Sequence, residues 1–147
     1  MQSKSEAAEK NFVDGFSCAQ SVLAAFCEDY DLDMETALKM ASPLGGGCGC
    51  AEMCGAVSGA ILVVGLKYGH HIADDVGTNN NCRAKRSLFL DEFGKLYDSV
   101  TCKGLLGFDL TTDEGHEKYL LALQDRAASP CAKFVKDAAR ILEDSGY

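Results

Sequence analysis

The feature that most constrains this chain is an apolar run of eleven residues, Ala56 to Leu66 (AVSGAILVVGL). A bilayer span takes ~20 such residues, so this run is too short to cross a membrane and no membrane insertion is expected. It predicts instead a buried helix from about Glu52 to Tyr68, with the rest of the chain folded around it. Gly55 and Gly59 lie four apart along that helix, as do Ala56 and Ala60. Small residues at this spacing make a face on which another helix, or a compact ligand, lies close.

Apolar residues recur at helical spacing through most of the remainder, and period-two alternation is scarce. There are only two prolines, Pro43 and Pro130. A first helix is expected from about Ser5 to Asp14, stopped by Gly15. A second begins at Ser17, where Ser17 and Gln20 form a capping-box pattern. Asp33 caps a short helix ending near Ala41. Pro43 to Cys50 (PLGGGCGC) reads as a loop whose glycines reach backbone angles closed to other residues. Residues 72 to 98 read as a long helix weakened by the polar run Thr78 to Asn81, and Thr101 as the cap of a short turn ending at Gly107. A helix follows from about Asp113 to Ala127. Ser129-Pro130, a cap residue and then proline at the first helical position, starts the last helix, which ends near Asp144. The expectation is an all-α, single compact multi-helix domain, residues 1–147, around the glycine-rich central helix.

A net charge of -8 removes the basic footprint that nucleic-acid binding requires, so no nucleic-acid partner is expected. The polar N-terminus, MQSKSEAAEKN, has no apolar stretch of the signal-peptide kind, and the expected compartment is the cytoplasm. Eight cysteines in such a compartment point to metal binding, redox chemistry or packing rather than structural disulfides.

The positions of the cysteines carry the functional reading. Cys18 follows the cap Ser17, Cys102 follows Thr101, and Cys131 follows Ser129-Pro130. Cys54 lies near the start of the central helix. A helix N-terminus carries about +0.5 charge and free N–H groups, and both favour a thiolate over a thiol. Four such ends brought together would suit an anionic cluster; the alternative is that these cysteines are small buried hydrophobes. Cys48 and Cys50 form a C-x-C pair in the glycine loop, suited to reversible disulfide formation or metal capture. Cys27 falls on an apolar stripe. Cys82 falls in a polar stretch, as an exposed reactive thiol or an incidental one. His70-His71 reads as a helix C-terminal pair complementing the dipole. There is no C-x-x-C, no C-x-x-C-H, no P-loop and no ferredoxin spacing, so any cluster would be held by well-separated ligands.

The chain resembles the C-GCAxxG-C-C family of putative redox-active proteins along nearly its whole length. The resemblance rests on FSCAQSVL at 16–23, GGG at 45–47, CGAVSG at 54–59, CKGLLG at 102–107, and Cys131 heading the last helix. It implies a redox role and four recurrent cysteines, Cys18, Cys54, Cys102 and Cys131. A literal GCA at 49–51 ends on Cys54 rather than glycine, so CGAVSG is the matching stretch, and Cys48 and Cys50 lie outside the four-cysteine pattern.

The leading expectation is that Cys18, Cys54, Cys102 and Cys131 ligate an iron–sulfur cluster for electron transfer. Glycines such as Gly46, Gly47, Gly55 and Gly59 would give the cluster room and N–H donors. The alternatives are a metal-free dithiol oxidoreductase using pairs of the same cysteines or Cys48 and Cys50, a structural zinc site, and a helical binding module without redox function. The expected partner is a redox partner protein or a small thiol, and the small-residue helix could serve a homodimer.

Overall fold

Short polar side chains set the helix starts in this chain. The structure, a computed structural model, describes all 147 residues. Ser3 caps α1 (Lys4–Val13) in a capping box with Glu6. Ser17 caps α2 (Cys18–Phe26) in a second box with Gln20. Asp33 caps α3 (Met34–Ala41). The central helix α4 (Gly55–Tyr68) follows Cys54, which makes no side-chain cap bond. Asp75 caps α5 (Val76–Leu96), Thr101 caps α6 (Cys102–Leu106) and Thr112 caps α7 (Asp113–Gln124). Ser129 caps α8 (Pro130–Asp144), with Pro130 at its first position. Each such cap contributes about 1 kcal/mol by satisfying an amide that the helix itself leaves free. The fold is all-α: eight α-helices and no strand, with one isolated antiparallel bridge between Met53 and Thr101.

Helix α4 lies at the centre, packed against α2, α5 and α8, while α1 covers α2 and α8. It buries Ala56, Val57, Ala60, Val63 and Val64. Where it meets α2 it carries glycine at two positions, 55 and 59. A Cβ at Gly59 would fall 2.7 Å from the Ala19 carbonyl oxygen, and one at Gly55 would fall 2.9 Å from the Ala19 nitrogen. The backbones of α2 and α4 therefore meet directly. Helix α8 turns Cys131, Phe134, Val135, Ala138 and Leu142 inward, residues that share one face of a helix. Its one buried carboxylate, Asp137, is bound by Lys133 at 2.7 Å, Arg140 at 2.6 Å and the hydroxyl of Tyr97. Burial alone would raise this carboxyl, but those three partners hold it below the usual range.

Several expected boundaries move. The central helix starts at Gly55 rather than Glu52, because residues 52–54 are extended and paired across to the segment before α6. The Cys54 N–H donates to the Val100 carbonyl at 2.8 Å, and the Cys102 N–H donates to the Glu52 carbonyl at 2.6 Å. Helix α5 starts at Val76, not residue 72, since Asp75 caps it there; the polar run Thr78–Asn81 does not break it, and none of those four side chains is buried. The glycine loop holds a 3₁₀ turn, Ser42–Leu44, and a π-type turn, Gly47–Ala51. Helix α7 ends at Gln124, three residues early. At the end of α4 the amide of Gly69 closes the last turn on the Gly65 carbonyl at 2.8 Å, and His70 and His71 are exposed beyond it. No helix is long and apolar enough to cross a membrane.

The glycine contact gives a paired prediction. Gly59→Ala forces α2 and α4 apart and lowers unfolding free energy by about 1–3 kcal/mol. Gly65→Ala, on the same helix but with nothing within 4 Å of the added methyl, raises it by about 0.5–1 kcal/mol. Urea unfolding of the two variants measures both signs.

Candidate redox site

Four of the eight cysteines meet. Cys18, Cys54, Cys102 and Cys131 line one cavity, with Gly46, Gly55, Leu105, Leu106, Tyr119 and Phe134 completing its wall. All four thiols are buried. Each comes from a different element, and each sits where a helix begins. Cys18 is the first residue of α2 and Cys102 the first of α6; Cys54 is the cap residue of α4; Cys131 is the second residue of α8. Capping side chains locate three of these starts, those of α2, α6 and α8, while the start of α4 is set by the pairing of residues 52–54 with 100–102. The α2–α4 backbone contact then sets the first pair opposite each other: a Cβ at Gly55 would lie 3.0 Å from the Cβ of Cys18. The two amide–carbonyl bonds between residues 52–54 and 100–102 bring Cys54 and Cys102 together in the same way.

The electrostatics divide the four thiols. Burial pushes Cys54 up to about 12, against the opposing effect of the Ala56 amide at the start of α4. Burial and the neighbouring Cys131 push Cys102 up to about 11. Cys18 is raised well above the ordinary thiol value, first because it shares a hydrogen bond with Cys131 and then by burial. Cys131 moves the other way, to about 7. The hydrogen bond from Cys18 is the main cause, and Ser129, the Arg126 guanidinium and the Cys131 amide add to it against the cost of burial. Arg126 is held in place by the Phe12 and Phe16 carbonyls, at 3.1 and 3.0 Å. Without a cation among them, then, at most one of the four sulfurs ionises near neutral pH, and Cys131 is the one its surroundings favour.

The donor set fits an iron–sulfur cluster or a zinc ion in number and chemistry: four thiols, apolar walls and four helix starts around them. The space is small. In the thiol form the side chains close on about 10 Å³, room for about one water molecule, and no three of the donors are gathered as ligands to a single ion.

Of the glycines expected to make room, Gly46 and Gly55 are on the cavity wall. Gly59 serves the α2–α4 contact, and Gly47 serves its turn, where a Cβ would fall 2.4 Å from the Glu52 nitrogen. Cys48 and Cys50 are exposed and outside the cavity; the Cys50 thiol donates to the Gly47 carbonyl at 3.2 Å. Cys27 is fully buried in the core, as its stripe implied, and Cys82 is half-buried on α5. Sequence reasoning missed Tyr119, Phe134, Leu105 and Leu106. Phe134 is one turn beyond Cys131, and the leucines lie within CKGLLG, so spacing could have found these three. Tyr119 had no signal.

The charge division predicts a titration. In the reduced, metal-free protein one thiolate per chain appears as pH rises through about 7, read as ultraviolet thiolate absorbance. Cys131→Ser removes it. Cys18→Ala removes the donor that lowers Cys131 and shifts the transition upward, toward the ordinary thiol range.

The geometry singles out the same four cysteines that the sequence pattern does, and of the two GCA-like stretches it places Cys54, not Cys50, on the cavity. Neither a curated protein nor a solved structure matches the chain. A family model described as putative redox-active protein (C_GCAxxG_C_C) matches residues 16–145 of the 147, and the chain belongs to that family.

Proposed function

We propose that this protein is an electron-transfer protein whose Cys18, Cys54, Cys102 and Cys131 hold an iron–sulfur cluster. The observation that carries this reading is the convergence of four thiols from four separate helix starts on one buried cavity. A dithiol exchange site needs two cysteines and one thiolate, whereas four buried sulfurs can all ionise together only when a cation joins them. The raised proton affinities of Cys18, Cys54 and Cys102 express that condition. Metal binding meets it, since coordination removes the thiol protons. A bound cluster would supply one-electron redox chemistry. The chain's own residues supply the rest: four ligands, helix-start amides that favour negative charge, and the hydrophobic cover of Leu105, Leu106, Tyr119 and Phe134, which limits water.

A second reading is favoured by one observation, the opposite shifts of Cys18 and Cys131. In it the Cys131 thiolate attacks the disulfide of a small thiol or partner protein, forming a mixed disulfide and releasing one thiolate. Cys18 then attacks the Cys131 sulfur. The Cys18–Cys131 disulfide closes, the second thiolate leaves, and the Cys18 proton passes to it. Two electrons move from the pair to the partner disulfide.

The test is the visible spectrum, with iron and sulfide assays, of protein purified without oxygen. The cluster reading expects sulfur-to-iron absorbance and equal iron and sulfide, with either lost in Cys→Ser variants at 18, 54, 102 or 131 and retained at 48, 50, 27 or 82. A colourless, iron-free protein that reversibly loses two thiols to oxidised glutathione establishes the second reading and removes the first. Zinc in place of iron removes both.

A further inference from the structure

The cysteine cavity and a second cavity lie at opposite ends of a row of four aromatic rings. Phe134, on the wall of the first, meets Tyr97 at 5.1 Å between ring centres; Tyr97 meets Phe93 at 4.9 Å; Phe93 meets Phe89 at 6.1 Å. Phe89 lies in the wall of the second cavity, between the end of α4, the middle of α5 and the end of α8. The space there is about 140 Å³. An apolar cavity of about 150 Å³ takes up a benzene molecule, so this one is of single-ring size.

Its walls are chemically uneven. Phe89 and Leu142 form a buried apolar floor. Tyr68 and Tyr147 stand edge to face, 5.6 Å between centres. Lys67 fastens this pair: its Nζ donates to the Gly146 carbonyl at 2.6 Å and lies 5.4 and 5.2 Å from the two ring centres. Lys85 is different. Eight lysines pair with carboxylates, and Lys67 has its carbonyl. Lys85 alone has no polar partner; its Nζ rests 5.0 Å from the Tyr68 ring centre, at the cavity wall. In a chain of net charge -8, a lysine left without a carboxylate beside a ring-sized aromatic cavity is a place for an anion brought from outside.

We propose that this cavity binds a single-ring aromatic anion. The ring packs on Phe89 and Leu142 between the two tyrosines, and the anionic substituent pairs with the Lys85 ammonium. The proposal is independent of whether the cysteine site holds a metal.

Calorimetric titration of the full chain with benzoate, benzamide and hexanoate tests it. Benzoate should saturate one site per chain and bind roughly tenfold more tightly than benzamide or hexanoate. Lys85→Gln should lower benzoate affinity roughly tenfold and leave benzamide unchanged. Leu88→Trp, at an exposed position of the wall, should abolish both. Helical circular dichroism establishes that each variant is folded. The proposal is overturned if benzoate fails to saturate below about 10 mM, if hexanoate binds as well as benzoate, or if either variant leaves benzoate binding intact.

Discussion

The arrangement of this molecule depends on one contact, the meeting of the α2 and α4 backbones at Ala19, Gly55 and Gly59. It sets the depth at which the apolar central helix lies. It also superposes two helix starts, which is why Cys18 and Cys54 share a cavity. With ordinary side chains at 55 and 59 the helices would separate by the width of a methyl group or more. The cysteine pair would open by a comparable distance, so the packing requirement of the core and the geometry of the site are met by the same residues.

The other two thiols arrive by different means. Cys102 is tied to Cys54 by the short extended pairing of residues 52–54 with 100–102. Cys131 comes with α8, whose inward stripe packs on α1, α2 and α4. The result is a concentration of thiols that burial and mutual repulsion keep protonated, apart from Cys131. In that state they close on little more than a water-sized space. The aromatic row extends from that site toward the far cavity. Its second ring, Tyr97, is anchored by the buried Asp137, and Lys133 and Arg140 neutralise that carboxylate.

The amino-acid sequence by itself determined the helical class, because the apolar spacing is helical through most of the chain and starts are marked by Ser17, Asp33, Thr101 and Ser129, whose side chains act on amides only two or three residues away. For the same reason it placed four cysteines at or near helix starts and separated them from Cys27 in the core. The family membership was legible in the same residues. What it misplaced were boundaries fixed by long-range pairing: Glu52 to Cys54 read as helix but are extended, since their backbone partners lie some fifty residues away. Only the tertiary structure decided that the four helix starts meet, that Gly59 serves packing while Gly46 faces the cavity, that Tyr119 closes it, and that Lys85 stands without a carboxylate beside a second cavity. Those are relations between residues distant in the chain, and local propensity and spacing carry no distance between them.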